Sequence, residues 1–208
     1  MNIPTIHKAS PLILASASPR RKRLLKQLHV PFRSLACDVD EVPLAGDPET
    51  DARWLAEKKA AAAFSRAPNR WILGADTMVV LGKRILGKPL DRDDALDMLT
   101  RLGGREHRVI TGFSILYPGG RPAHSEAVTT LVRMKSLTRE EITRYIATGE
   151  PFGKAGSYAI QGIGAFMVES ISGSYTNVVG LPVCAVIKAL VAAGALSGFP
   201  SPYPAAPL

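Results

Sequence analysis

LILASASPRRKRLLKQL, residues 12–28, reads as a strand, a tight turn of small residues and a helix opened by arginines. Leu12 to Ala15 is a short apolar run, and Ser16, Ala17 and Ser18 follow as the turn. Ser18 suits the N-cap and Pro19 the first helical position, where a missing N–H and a fixed φ cost nothing. A helix starting there presents unbonded N–H groups and the positive end of its dipole, which favour a phosphate. Arg20 and Arg21 add forked guanidinium donors that match phosphate oxygens.

Helical spacing divides the five basic residues of this segment. Leu24, Leu25 and Leu28 mark the buried stripe, and Arg20 and Arg21 stand just before it on or near the same side. They overhang the start of the apolar face, where a cleft can form. Lys22, Arg23 and Lys26 point elsewhere and read as solvated. A plain surface charge run is the competing reading of all five.

A chain of 208 residues can form one large domain or two small lobes sharing a sheet. Hydrophobic content of 46% without a long charged block places it among globular proteins, not disordered ones. No apolar run approaches the roughly 20 residues of a membrane span, and MNIPTIHKASP lacks a signal-peptide layout. The expectation is a cytoplasmic protein with no membrane partner. Cys37 and Cys184 are too few for a disulfide framework or a cysteine metal cluster, and read as packing residues. The net charge of +8 is concentrated: residues 1–35 hold seven lysines and arginines and no acid, while the remainder is nearly neutral. Aromatics are 6% of the chain and only Phe32 accompanies the basic segment, which favours a compact anionic ligand over a specific nucleic-acid partner.

Downstream, VPFRSLA (30–36) reads as a second strand and DARWLAEKKAAAAFSR (51–66) as an alanine-rich helix. WILGADTMVVL (71–81) is a strand with a short hairpin return through GKRIL. DRDDALDMLTRL (91–102) is a helix with an acidic first turn, stopped by Gly103 and Gly104. REHRVITGFSILYP and RPAHSEAVTTLVRMK form two long antiparallel strands around Pro118-Gly119-Gly120, and LTREEITRYIATG (137–149) is a helix ended by Gly149. The glycine-rich EPFGKAGSYAIQGIGAF reads as a loop holding its backbone close to something, or as a set of bulges and turns. A strand (AFMVESIS), a turn (GSYTNVVG) and a helix from Pro182 to about Ala193 follow, then a proline-rich tail expected to be poorly ordered. No repeat or linker divides the chain, so one domain is expected over 1–208, with a core of about 12–193 and a tail over 194–208.

Asp76, after the apolar run WILGA, is a carboxylate leaving a buried strand. That position suits catalytic and ligand groups in α/β sheets, and equally a capping aspartate. Lys59, on an otherwise apolar helix face, and Lys88, in LGKP, can neutralise phosphate if they converge with Arg21; singly, each reads as a solvated lysine. Asp38, Asp40 and Glu41 form an acidic cluster that could join Asp76 around a hard divalent cation, or serve only as an acidic loop. His7, His29, His107 and His124 show no zinc spacing. GxxxxGK[ST] and GxGxxG are both absent, so neither a P-loop nor a dinucleotide fingerprint is available, and GxSxG is absent too.

Seven ordered blocks are similar to motifs of the Maf-like nucleotide pyrophosphatases, also called septum formation inhibitor proteins. They are LASASPRR (14–21), LAEKKA (55–60), GADTMV (74–79), LGKP (86–89), HRVITG (107–112), GEPFGKAGSYAIQG (149–162) and GSYTNVVGLP (173–182). The resemblance runs from residue 12 to about 192. It implies a mixed α/β fold related to the inosine triphosphatases: an elongated mixed sheet flanked by helices, with a substrate cleft between two lobes. It implies hydrolysis of nucleoside triphosphates between the α and β phosphates, with a divalent metal cation (magnesium, manganese or cobalt) as cofactor and a homodimer as the usual assembly. Asp76 matches the family's catalytic carboxylate, the base that activates water. Arg21, Lys59 and Lys88 match its phosphate-contacting cations, Ser16 and Ser18 lie in its phosphate turn, and Lys154 falls in a block that binds substrate. Glu41 matches an acidic position linked to the site, and with Asp76 makes the implied metal ligands. Arg20, Thr77 and Gln161 match the positions tied to substrate choice. Their identities resemble the branch acting on dTTP and UTP, not the 7-methyl-GTP branch, which carries a bulky aromatic in place of Arg20 and an acid in place of Gln161.

The residue chemistry is consistent with these implications. A triphosphate needs several cations and a metal to offset charge moving onto the pyrophosphate leaving group. The Gln161 amide offers one acceptor and two donors, which can pair with the acceptor and donor edge of uracil or thymine. No residue explains discrimination at the ribose 2′ position, so both dTTP and UTP are expected substrates. The competing class is a non-catalytic regulator of septum formation that binds nucleotide or DNA through the basic N-terminal region.

Overall fold

The apolar runs of the sequence assemble into one seven-stranded mixed sheet. The computed structural model describes residues 4–37, 39 and 46–200. In chain order the elements are β1 (Leu12–Ala15), α1 (Pro19–Gln27), β2 (Phe32–Ser34), α2 (Pro48–Phe64), β3 (Ile72–Leu81), β4 (Arg84–Leu86), α3 (Arg92–Leu102), β5 (Glu106–Leu116), β6 (Pro122–Met134), α4 (Arg139–Ala147), β7 (Val168–Ser172), α5 (Tyr175–Val179) and α6 (Val183–Ala192). The strands lie in the order β2-β1-β3-β5-β6-β7, with β4 also paired to β3. β1 runs parallel to β2 and β3, and the other pairings are antiparallel. This is the mixed α/β sheet flanked by helices that the resemblance implies.

Strand alternation sends successive side chains to opposite faces. Ile13, Ala15, Ile72, Met78 and Val80 point to the face covered by α2, where they meet Ala52, Leu55, Ala60 and Ala63. Leu12, Leu14, Leu73 and Ala75 point the other way, against Leu24 and Leu25 of α1 and Val186 and Leu190 of α6. Farther along that face, Val79, Val109 and Val132 pack with α3 and α4 through Leu99, Leu102, Ile142 and Tyr145.

α2 sits unusually close to the sheet because two strand positions beneath it are glycine. A Cβ at Gly74 would lie 2.1 Å from the Ala56 carbonyl oxygen, and one at Gly112 would lie 2.2 Å from the Ala52 carbonyl. Gly112 is the β5 partner of Asp76, so the helix is seated directly over that carboxylate.

The sheet is also incomplete beside β3. β1 ends with Ala15 opposite Gly74, and β4 ends with Leu86 opposite Val79. Among the described strands, none pairs with Ala75 to Met78 on that edge, and a cavity opens there. Asp76 therefore lies inside β3, within the strand read over 71–81, rather than leaving it. What ends is the neighbouring strand.

Three other expectations change. GSYTNVVG is a short helix, not a turn: the Ser174 hydroxyl accepts from Asn177 N at 3.3 Å, and Gly180, at φ 122°, ends it. The strand AFMVESIS begins only at Val168, because Ile163–Met167 winds as a 3-10 helix. The segment after α6 contributes to the core, since Ala195 and Leu196 are buried and Ile6 N donates to the Ala195 carbonyl at 2.8 Å. No helix among the described residues is long and apolar enough to cross a membrane.

His107 is buried beside Tyr158, with its Nε2 2.8 Å from the phenol oxygen and its Nδ1 without a hydrogen-bond partner among the described residues. Burial pushes its pKa down to about 4, so the folded protein holds it neutral. The unfolded chain takes up that proton near the ordinary pKa of about 6.5, so the fold loses stability as pH falls from there toward 4.

Two measurements test this account. Gly112→Ala should cost about 3 kcal/mol in urea denaturation, because the new methyl meets backbone that cannot move aside. Wild type should lose on the order of 2 kcal/mol between pH 7 and pH 5 through His107. His107→Gln should flatten that part of the pH profile, and an unchanged slope refutes the assignment.

Candidate active site

The cavity beside the open edge of β3 has a volume of about 720 Å³. Its rim comes from the β1–α1 turn, the start of α1, the segment after β4, the glycine-rich segment 153–161 and the end of α5. Arg20, Arg21, Lys59, Lys88 and Lys154 line it, and Asp76 is the one acid among the described lining residues. The lysines that read singly as solvated thus converge with the arginines.

Asp76 projects toward α2, and Lys59 descends from that helix to meet it, with Nζ 2.5 Å from Oδ1. Both side chains are nearly buried, exposed 10% for Lys59 and 14% for Asp76. The other Asp76 oxygen, Oδ2, has no partner among the described residues. A charge-assisted bond of this length in a shielded setting fixes the carboxylate's orientation.

Thr77 projects to the opposite face and joins Arg21. The Arg21 guanidinium donates from Nε to the Gly180 carbonyl at 2.7 Å, from Nη1 to Ser16 Oγ at 3.1 Å and from Nη2 to Thr77 Oγ1 at 2.9 Å. Arg21 is buried, and these bonds tie β1, β3 and α5 to the start of α1. Much of the donor capacity that suits Arg21 to phosphate is spent organising the site. Thr77 continues the network at 3.0 Å to Thr111, whose hydroxyl donates to the Asn177 carbonyl at 3.2 Å.

Arg20 donates from Nε to the Val179 carbonyl at 3.2 Å. Burial lowers its guanidinium pKa from the ordinary value. The two arginines thus dock on consecutive carbonyls at the C-terminal end of α5, where the helix presents unbonded acceptors. Ser16 is buried, and its Oγ also accepts from Ser18 N at 3.2 Å. Ser18 stands at the N-cap, but its side chain makes no capping bond, so the first N–H groups of α1 have no side-chain acceptor among the described residues.

Across the cavity, Lys154 donates from Nζ to the Glu150 carbonyl. Partial burial and the nearby charge of Arg20 push its ammonium pKa down, with Glu150 opposing. Lys88 stands exposed beyond β4 on the rim. Gln161 is half-buried in the wall, and its amide has no hydrogen-bond partner among the described residues. Tyr158 and Ile160 add apolar surface beside it. Asp38, Asp40 and Glu41 lie outside the described residues.

No group of three His, Cys, Asp or Glu side chains suited to a metal is found among the described residues. Among the described residues, Asp76 alone offers a carboxylate oxygen to the cavity. That suits a cation of the magnesium type, which takes one or two carboxylates and completes its shell with water and phosphate oxygens.

The sequence reading missed the Val179 and Gly180 carbonyls, which no side-chain motif announces. It also missed Glu150, whose carboxylate organises the turn around Gln161. The cluster of glycines after Glu150 was the available signal.

The family described as Maf-like protein matches residues 11–193. A dTTP/UTP pyrophosphatase from Citrifermentans bemidjiense is 51% identical over 190 residues, covering 91% of this chain and 98% of that protein. One from Syntrophotalea carbinolica is 48% identical over 206 residues, covering 98% and 93%. Among solved structures, the nucleoside-triphosphatase / dITP/XTP pyrophosphatase from Mycobacterium abscessus gives a TM-score of 0.41 at 14% identity, over 61% of this chain and 75% of that one. With the family match spanning all seven motif blocks and the relatives aligned almost end to end, this chain belongs to the Maf-like protein family.

Proposed function

We propose that this protein hydrolyses dTTP and UTP between the α and β phosphates, releasing the nucleoside monophosphate and pyrophosphate. The observation that carries the proposal is the Asp76 carboxylate, the one acid among the described lining residues, fixed by Lys59 in a cavity that also gathers Arg20, Arg21, Lys88 and Lys154. Such a cluster of cations suits a triphosphate, and Asp76 is a group able to take a proton from water. The curated relatives at about half identity bear the name dTTP/UTP pyrophosphatase.

In this reading Asp76 is the general base, accepting a proton from the water that attacks the α-phosphorus. Lys59 holds the carboxylate in place and balances its charge. Arg20, Arg21, Lys88, Lys154 and the N-terminus of α1 receive the phosphate oxygens, and Ser16 and Ser18 shape the turn beneath them. Charge builds on the departing pyrophosphate, where fixed cations act most strongly in the transition state. A divalent cation, held by Asp76 and the substrate's own phosphates with Glu41 as a second ligand, would supply further charge neutralisation when bound. Gln161 reads the base edge, with Arg20 and Thr77 shaping the entry to it. A cytoplasmic homodimer completes the proposal and rests on the family resemblance.

Asp76→Asn should lower pyrophosphate release from UTP by at least about a hundredfold in the presence of magnesium, manganese or cobalt. The variant should still fold, since the amide keeps an acceptor for Lys59, but its urea midpoint should fall because the charge that balances the lysine is gone. Near-normal turnover would remove Asp76 from the mechanism. In a substrate panel, UTP and dTTP should exceed 7-methyl-GTP in kcat/KM, and Gln161→Ala should lower kcat/KM for UTP by about tenfold. A preference for 7-methyl-GTP would place the chain in the other branch. Tight, salt-sensitive DNA binding that survives Asp76→Asn would favour a regulator.

A further inference from the structure

We propose that Glu150 and Tyr145 are positioning residues for nucleobase selection, because together they fix the backbone of the turn that presents Gln161; this rests on the nucleotide reading above. Neither side chain lines the cavity. Glu150 Oε1 accepts from the Tyr145 hydroxyl at 2.9 Å and from Gly164 N at 2.9 Å, and Oε2 accepts from Ile163 N at 3.0 Å. The Tyr145 oxygen in turn accepts from Ala159 N at 3.2 Å. The main chain is thus gripped two residues before Gln161 and again two and three residues after it. Gly162 N closes the turn on the Ala159 carbonyl at 3.2 Å.

The glycines of this segment follow from that grip. A Cβ at Gly162 would lie 2.1 Å from Glu150 Oε2, and one at Gly164 would lie 2.7 Å from the Tyr145 oxygen. The carboxylate and the phenol fill the space side chains would need, so the turn is moulded around them. Glu150 stays ionised there: burial works against the charged form, but the bonds from Gly164, Tyr145 and Ile163 outweigh it and hold the carboxyl below its ordinary range. An ionised acceptor holding several donors is the strong kind of anchor.

The consequence falls on selectivity. An amide can tell uracil from cytosine only if its oxygen and nitrogen are held in register with a donor and an acceptor on the base. A turn free to shift would let the amide rotate or retreat and accept either pyrimidine. Discrimination that depends on paired polar groups is steep when the site is rigid and weak when it is loose.

UTP and CTP isolate the effect, since they share ribose and triphosphate and differ only on the base edge. In Glu150→Gln, one acceptor becomes a donor facing N–H and O–H groups. The ratio of kcat/KM for UTP over CTP should fall about tenfold, through a rise in KM for UTP that exceeds the loss in kcat. Tyr145→Phe keeps the Glu150 bonds to Ile163 and Gly164, so its ratio should fall in the same direction by less. Inhibition by inorganic pyrophosphate should not change in Tyr145→Phe, because the Tyr145 hydroxyl bonds only to Glu150 and Ala159 N among the described residues. Urea denaturation identifies a variant that has lost its fold, and the other variant then decides. A wild-type preference for UTP that survives in the folded variants overturns the proposal alone, whereas a wild type that treats UTP and CTP alike overturns the nucleotide reading together with it.

Discussion

The close seating of α2 on the sheet is the constraint from which the site follows. Glycines at 74 and 112 remove the two side chains that would hold the helix away. Only then can a lysine in the middle of a buried helix face reach a carboxylate in the middle of a buried strand. Lysine and aspartate are seldom so enclosed unless each neutralises the other. Their pairing makes the arrangement tolerable, while packing on both sides prevents either from swinging away. The same two glycines therefore belong to the core by position and to the chemistry by consequence.

On the opposite face the organising element is a pair of arginines resting on the end of a five-residue helix. Consecutive carbonyls at the C-terminus of α5 receive Nε from Arg20 and Arg21. Helix α1 points its positive end into the same region, so two helix ends of opposite polarity meet at the cavity wall. This joins residues near the two ends of the chain, and the polar chain through Thr77, Thr111 and Asn177 carries the tie under the sheet. A cavity lined by cations repels itself, and these bonds hold the positive groups in place against that repulsion.

Much of this was legible in the residues. The run from Leu12 to Leu28 announces its strand, turn and helix through apolar pattern, Pro19 and the leucine stripe, because those signals are local. Arg21, Lys59 and Asp76 could be named as candidates, but their convergence could not be derived from spacing, since it depends on which strands are neighbours. GSYTNVVG was misread because a five-residue helix is too short for periodicity to show, and its Ser174 cap looks like any turn serine. The open edge beside Asp76 could not be seen, because the interruption lies in β1, on the other side of the ladder. The bonding of Glu150 was hidden for a similar reason: two of its three donors are backbone N–H groups, which no motif distinguishes.

The missing stretch of sheet beside β3 has a consequence for solubility as well as for chemistry. An unpaired strand edge is a template for addition of a foreign strand, and proteins ordinarily blunt such edges. Here the window unpaired among the described strands runs only from Ala75 to Met78, closed in plane by β1 at one end and β4 at the other. A segment so short gives an invading strand little ladder to build on, and the charged groups around it disfavour an apolar visitor. The fold can therefore keep a raw backbone edge inside its working cavity without the aggregation hazard that a longer one would carry.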